Sequence, residues 1–324
     1  MWQLLLNVTV AIWAVICLVW LLVLYFADAD VMLLFKDKFG NGPEILEGQV
    51  VWITGASSGI GEYTAYCLAK AGCRLVLSAR REDELERVKA ACLLQGRHKL
   101  SDGDILTLVL DCLAFDSHQG AVQTVLEHFG RIDILLNNAG TSQRAPWMDI
   151  ELDVDRALFE LNVLGQVSLT QAVLPNMVER KKGHVAVVSS VAGKLGIPHS
   201  RSYNGTKCAV QGYFECLRTE MSQFNIDVTV LCPGPIFSNI FLHAATGKHS
   251  EQLGRAMAKT EKRMSTDKCA HYVSVALANK LYEAWITQQP WLYLLYINQF
   301  FPDLGRWILM KFGISYLMKI REGQ

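Results

Sequence analysis

The chain carries no excess of either charge: Lys plus Arg and Asp plus Glu number 31 each among 324 residues. No basic field is therefore present to draw in nucleic acid, and a nucleic-acid partner is set aside. Any Cys-x-x-Cys pair is also missing. The nine cysteines, at positions 17, 67, 73, 92, 112, 208, 216, 232 and 269, are odd in number and scattered, which suits neither a disulfide framework nor a zinc site. The eight histidines lack ligand spacing, so no bound metal is expected. Polar residues are few. At 51% hydrophobic residues and a mean hydropathy of +0.20, the composition points to some membrane or lipid-facing surface.

The longest apolar run, Leu4 to Phe26, is interrupted only by Asn7 and Thr9. At 1.5 Å per residue it reaches about 35 Å, enough for a hydrocarbon core of about 30 Å. The rival reading is a cleaved signal peptide, which Ala27-Asp-Ala29 would suit as a cleavage site. The run is longer than such a segment needs and no charged stretch precedes it, so a transmembrane anchor is expected. Residues 1–27 are taken as the anchor and 28–48, which mix charge with Gly-Asn-Gly-Pro, as a linker. Residues 49–286 are expected to form the main domain and 287–324 an aromatic-rich extension.

The domain opens with the apolar run Gln49 to Thr54, then Gly55-Ala-Ser57-Ser58-Gly59-Ile60-Gly61, then a helical pattern to Ala71. Strand, glycine loop and helix occur in the order that a dinucleotide site needs. Glycines let the backbone approach a pyrophosphate, and helix N-terminal amides stabilise its charge. The next strand, Arg74 to Ser78, ends at Ala79-Arg80-Arg81, about 20 residues after the loop, where the adenosine ribose is read. An acid there would select NAD. The arginines instead offer a fork for a 2′-phosphate, so NADP is the expected cofactor. Both could simply begin a solvated helix, but Glu82, Asp83 and Glu84 already supply the charge that a first turn favours.

Further strands are expected at Ile105 to Leu110, Ile132 to Leu136, His184 to Ser189, Val228 to Leu231 and Glu283 to Ile286. Helices alternate with them at Ser117 to Phe129, Leu152 to Arg180, Arg201 to Gln223 and Asp267 to Lys280. Pro175 should kink the second of these, and Thr266 should cap the last. This rhythm predicts an α/β fold, a Rossmann-type doubly wound parallel sheet of about seven strands behind an N-terminal anchor. Asp111 and Asn137-Asn138-Ala139-Gly140 fall at strand ends, where such sheets bind ligands. Asn239 to Ser265 has no periodicity and reads as a mobile substrate loop. From Pro290 to Met318 the chain is crowded with aromatics, including Trp291, Trp307 and Tyr316. Core packing, a homodimer contact and interfacial membrane contact all fit that stripe.

Tyr203 and Lys207 are four apart, so on a helix they share one face and act on one small volume. A phenol titrates near ~10, and a nearby ammonium lowers the cost of removing its proton. The spacing is not diagnostic by itself, because Tyr66 and Lys70 repeat it. Only Tyr203 has a hydroxyl partner at a strand end, Ser190, thirteen residues earlier; Ile53 stands at the matching place before Tyr66. Tyr66 is read as a first-helix surface residue.

These residues together resemble the short-chain dehydrogenase/reductases over essentially all of Gln49 to Ile286. Thr54 to Gly61 is similar to that family's Thr-Gly-x-x-x-Gly-x-Gly, and Asn137 to Gly140 to its Asn-Asn-Ala-Gly. Ser190, Tyr203 and Lys207 match its catalytic set, with Asn162 its fourth member. Asp111 matches the adenine-contacting acid, and Pro233-Gly234-Pro-Ile236-Phe-Ser238 the nicotinamide-side turn, with serine where threonine is usual. Within the family the anchor, Ser-Ala-Arg-Arg, Cys-Pro-Gly-Pro and the aromatic tail resemble a membrane-bound subgroup. Gly205, between tyrosine and lysine, departs from the usual filling and should weaken its helix by up to ~1 kcal/mol.

The resemblance implies hydride transfer between NADP(H) and a carbonyl or alcohol carbon. Tyr203 would carry the oxygen's proton, Ser190 hydrogen-bond that oxygen, Lys207 hold ribose hydroxyls and Asn162 anchor a water relay. Anchor and apolar tail imply a lipophilic small-molecule substrate such as a steroid, retinoid or xenobiotic carbonyl. A nucleotide-sugar epimerase would have its glycines spaced differently. A membrane-tethered scaffold without turnover is expected to show a broken catalytic set, and all four residues are present. The expected place is the endoplasmic reticulum membrane with the domain in the cytosol. Lys36 and Lys38 follow the anchor with no basic residue before it, and Asn204-Gly-Thr206 would accept a glycan in the catalytic helix of a lumenal enzyme.

Overall fold

The computed structural model describes residues 1–257 and 261–313, apart from the side chains of residue 4 and residues 16–24. In chain order the longer elements begin with α1 (Trp2–Phe26), α2 (Val31–Phe39), β1 (Val50–Thr54), α3 (Gly59–Ala71), β2 (Arg74–Ala79) and α4 (Glu82–Gln95). Next come β3 (Ile105–Val109), α5 (His118–Phe129), β4 (Ile134–Asn137), α6 (Leu152–Phe159), α7 (Gly165–Arg180) and β5 (Gly183–Val188). The chain continues through α8 (Arg201–Met221), β6 (Ile226–Pro233), α9 (Thr266–Ala278), β7 (Glu283–Ile286), α10 (Trp291–Phe300) and α11 (Pro302–Ile308).

All seven strands join one parallel sheet in the order β3-β2-β1-β4-β5-β6-β7. The central strands β1, β4 and β5 are buried along their whole length because both faces of the sheet are covered, whereas the edge strands β3 and β7 are only partly buried. Along β1, Val51 and Ile53 enter one core with α3 and α9, while Val50 and Trp52 enter the other with α5, α7 and α8. At the strand N-termini, buried Asp133 pins the sheet: it accepts from Val50 N–H at 2.9 Å, Arg131 Nε at 2.8 Å and Arg180 Nη1 at 2.9 Å. At the opposite edge the order reverses between β1 and β4, and the loops diverge there to leave a cleft.

Four stretches differ from expectation. Residues 28–48 are not a free linker. Asp30 caps α2 by accepting from Leu33 N–H at 2.9 Å, and its other oxygen accepts from Trp285 N–H of β7 at 2.7 Å. Ala29, Leu33 and Leu46 are buried in the α3–α9 core, so the apolar positions among the charges decide the outcome. The run from Leu152 to Arg180 is broken not by Pro175, which α7 accommodates, but by a wide π turn at Glu160–Leu164. Ser265 caps α9 one residue before the expected Thr266. The loop Asn239 to Ser265 is folded back against the domain, burying Phe241, Ala244, Glu261 and Met264; residues 258–260 of it lie outside the described part.

The aromatic stripe divides. Trp291, Leu292 and Leu295 are buried, whereas Phe300, Phe301, Trp307 and Phe312 are exposed. Tyr316 and Met318 fall outside the described residues. Helix α8 runs unbroken through Gly205.

Candidate active site

A cavity of about 560 Å³ occupies the cleft at the strand C-termini. One end is the glycine loop. Gly55 and Gly59 have φ of +65° and +60°, a region that side chains disfavour. A Cβ on Gly55 would stand 2.9 Å from the Ala139 Cα, and one on Gly61 would stand 2.5 Å from the Gly55 carbonyl oxygen. The loop is thus pressed against the Asn137–Gly140 turn. Asn138 Nδ2 donates to the carbonyls of Thr54 and Gly55 at 2.9 and 3.2 Å, and the amides of Asn138 and Ala139 donate to Thr54 Oγ1. Helix α3 starts at Gly59 and directs its free first-turn N–H groups at the cleft, a cradle that fits a pyrophosphate.

Ser57, Ser58, Ile60, Arg80, Arg81 and Asp111 line the same end. Arg81 Nη2 donates to Ser57 Oγ at 3.1 Å. Arg80 is exposed and makes no hydrogen bond or ion pair among the described residues. Ala139 and Gly140 form the floor, and Pro233, Gly234, Ile236 and Ser238 close the side beyond β6.

At the other end stand Ser190, Tyr203 and Lys207. The helical spacing puts Lys207 Nζ 5.7 Å from the centre of the Tyr203 ring. Lys207 Nζ donates to the Val188 carbonyl at 2.7 Å, and burial pushes its ammonium down to about 8. Ser190 Oγ accepts from Ala192 N–H at 3.1 Å and donates to the Pro233 carbonyl at 3.2 Å. These bonds fix the hydroxyl against the cavity wall.

Asn162 and Gly61 do not line the cavity. Asn162 is fully buried in the π turn, where Oδ1 accepts from Thr141 N–H at 2.8 Å and Nδ2 donates to the Thr141 carbonyl and to Thr206 Oγ1. It straps the segment after Gly140 to α8, which sets the distance between cofactor floor and Tyr203. Tyr66 is elsewhere: its hydroxyl donates to Glu62 at 2.6 Å, and burial followed by that carboxylate pushes the phenol well above its ordinary range. Arg144, Phe241, Arg263 and Trp291 also reach the cavity. Phe241 and Arg263 fall in the stretch expected to be a substrate loop and Trp291 in the aromatic stripe, while nothing in the sequence marks Arg144, because no local motif points to a residue that only the fold brings to the site.

The profile described as short chain dehydrogenase matches residues 49–248. Dehydrogenase/reductase SDR family member 7 of Homo sapiens is 45% identical over 324 residues, covering 99% of this chain and 95% of that protein. The Drosophila melanogaster dehydrogenase/reductase SDR family protein 7-like is 37% identical over 279 residues, covering 86% and 84%. A short-chain dehydrogenase from Streptomyces avermitilis superposes with a TM-score of 0.66 at 27% identity, over 83% of this chain and 97% of that one. An alcohol dehydrogenase from Thermococcus sibiricus, complexed with 5-hydroxy-NADP, shares the fold with a TM-score of 0.65 at 24% identity, over 75% and 97%. This chain belongs to the short-chain dehydrogenase/reductase family, and its class of chemistry is that of an oxidoreductase.

Proposed function

We propose that the protein is an NADP(H)-dependent oxidoreductase that interconverts a carbonyl and an alcohol on a lipophilic substrate at a membrane. The observation that carries this reading is the convergence of Ser190, Tyr203 and Lys207 on the cavity that also contains the glycine loop. A nicotinamide bound there supplies or accepts the hydride.

The protein's own groups handle the proton. In reduction, the Tyr203 phenol gives its proton to the substrate oxygen as that oxygen gains charge, and the Ser190 hydroxyl, rotating its hydrogen away from the Pro233 carbonyl, donates a hydrogen bond to the same atom. The Lys207 ammonium favours the resulting phenolate and would hold the ribose side of the cofactor. In oxidation the same transfers run backwards. Arg80 and Arg81, with no acid at the end of β2, favour a cofactor that carries a 2′-phosphate. Val191, Ile197, Phe241 and Trp291 give the substrate end an apolar wall, and α1 is 25 residues long with apolar side chains exposed along its described part. Both suit a substrate that partitions into lipid.

Steady-state oxidation of NADPH by the full-length protein, run against a panel of lipophilic ketones and aldehydes, tests the reading. Turnover of at least one compound is expected. A panel on which NADPH is bound but never consumed would sink it.

A further inference from the structure

Arg144 lies four residues beyond Gly140 and reaches the cavity beside Tyr203. Its guanidinium carbon is 5.7 Å from the centre of the Tyr203 ring and 4.9 Å from that of Phe241. Arg263 also sits 4.9 Å from the Phe241 ring, so two guanidiniums share one phenyl group. Their partners differ. Arg263 is neutralised by Glu261 at 2.6 Å, a carboxylate only 1% exposed. Arg144 has no carboxylate within 4.0 Å among the described residues.

Only one nitrogen of Arg144 is engaged. Nη1 donates to Ser142 Oγ at 2.9 Å, the Gln143 carbonyl at 2.6 Å and Ser200 Oγ at 2.9 Å. Nε is buried with no partner among the described residues, and Nη2 makes no hydrogen bond to them. That leaves free the edge on which a guanidinium grips a carboxylate with two parallel N–H groups. Burial holds the Arg144 side chain down to about 10; Arg263 adds to this and Tyr203 opposes it, so the group stays charged at neutral pH.

The surrounding charge is one-sided. Lys207 is a second cation without an acidic partner among the described residues. Cofactor phosphates would sit at the glycine loop, the far end of the cavity, and so do not supply the missing anion. Lys207 is buried and Arg144 half-buried, and unpaired charge withdrawn from water is costly, which makes a ligand anion the natural counter-charge. The remaining wall is apolar, through Ile197, Phe241 and Trp291.

We propose that Arg144 is a specificity-determining residue that receives the carboxylate of a lipophilic oxo acid, held close to the carbonyl presented to Tyr203. This rests on the oxidoreductase reading and narrows its substrate. The free Nη2 meets the carboxylate, a small turn of the side chain brings the buried, unpartnered Nε to complete the fork, and the apolar wall takes the hydrocarbon body.

The test uses 2-oxodecanoate, its methyl ester and 2-decanone with NADPH, and the full-length wild type, Arg144→Met and Arg144→Lys. The wild type should prefer the acid to its ester by about tenfold or more in kcat/KM, as expected for a charge-assisted pair. Arg144→Met should erase that preference and Arg144→Lys restore part of it. A wild type that treats acid and ester alike overturns the proposal, as does Arg144→Met lowering both in the same proportion. That second result would mean a structural role or an action on the phenol. Should the wild type turn over none of the three, calorimetric titration of 2-oxodecanoate into the protein with NADP present decides the matter. Binding that Arg144→Met abolishes supports the assignment and counts only against the proposed turnover. Binding equal in both, or absent from the wild type, overturns it.

Discussion

Arg80 stands exposed on the rim of the cavity with no acid holding it among the described residues, so its energetic role is expected to appear only when a phosphate arrives. A hydrogen bond to a charged group contributes about 1.5–3 kcal/mol, or roughly a 10- to 100-fold change in a binding constant. Arg80→Ala should therefore raise the KM for NADPH by roughly that factor and change the KM for NADH by less than about threefold. Equal effects on both, or a wild type that prefers NADH, would remove the NADP assignment. Single residues were legible where chemistry demands a type at a spacing. Tyr203 and Tyr66 share the same Tyr-x-x-x-Lys pattern, and the serine thirteen residues upstream separated them because it marks a strand end on the cleft side. Arg144 was not legible: its place beside Tyr203 depends on a turn, a strap and a folded-back loop, none of which leaves a periodic trace.

At the scale of elements, the strands were readable because both sheet faces are covered and each strand is a short, mainly apolar stretch bounded by turn signals. Connections were less so. The π turn that buries Asn162 looks like ordinary helix in sequence, since the partners that Asn162 meets there, Thr141 and Thr206, are distant in the chain. The segment 28–48 was misjudged for the opposite reason, its charges and glycines concealing three apolar side chains that reach the core. Asp133 shows how a polar group locks such elements. Burial raises its carboxyl, but the Val50 amide and the guanidiniums of Arg131 and Arg180 outweigh that and hold it below the ordinary carboxylate range. A group depressed in the folded state stabilises it fully above the unfolded value near ~3.9 and loses that effect as pH falls through the folded value. Asp133→Ala should thus lower stability by about 2–3 kcal/mol at pH 7, an amount reduced from that of a wholly buried pair because both arginines are part-exposed. Thermal unfolding of both proteins at pH 7 and at about pH 3 checks this. The gap should narrow at the lower pH, and a gap that widens contradicts the account.

For the whole molecule, the hydrophobic excess that composition reveals includes exposed apolar side chains on the described part of α1, on α2 (Met32, Phe35 and Phe39) and on the C-terminal helices (Phe300, Trp307). We propose that α1 anchors the enzyme in the endoplasmic reticulum membrane with the catalytic domain in the cytosol. Lys36 and Lys38 flank only the C-terminal side of α1, which favours that orientation. Asn204 Nδ2 donates to the Leu195 carbonyl at 2.8 Å, so a glycan on that part-buried nitrogen would have to be fitted next to Tyr203 in the catalytic helix. Digestion of sealed microsomes with protease should destroy the domain without detergent; a domain protected until detergent is added is lumenal.

The account as a whole depends on Tyr203 exchanging a proton with substrate over a bound nicotinamide, and one comparison reaches that directly. NADPH oxidation by wild type and Tyr203→Phe should be measured on the best substrate of the panel, together with NADPH binding by fluorescence. The account predicts that Tyr203→Phe binds NADPH within about threefold of wild type while kcat falls by about 100-fold or more, the scale of a lost acid–base group. Near-normal turnover by Tyr203→Phe would contradict it.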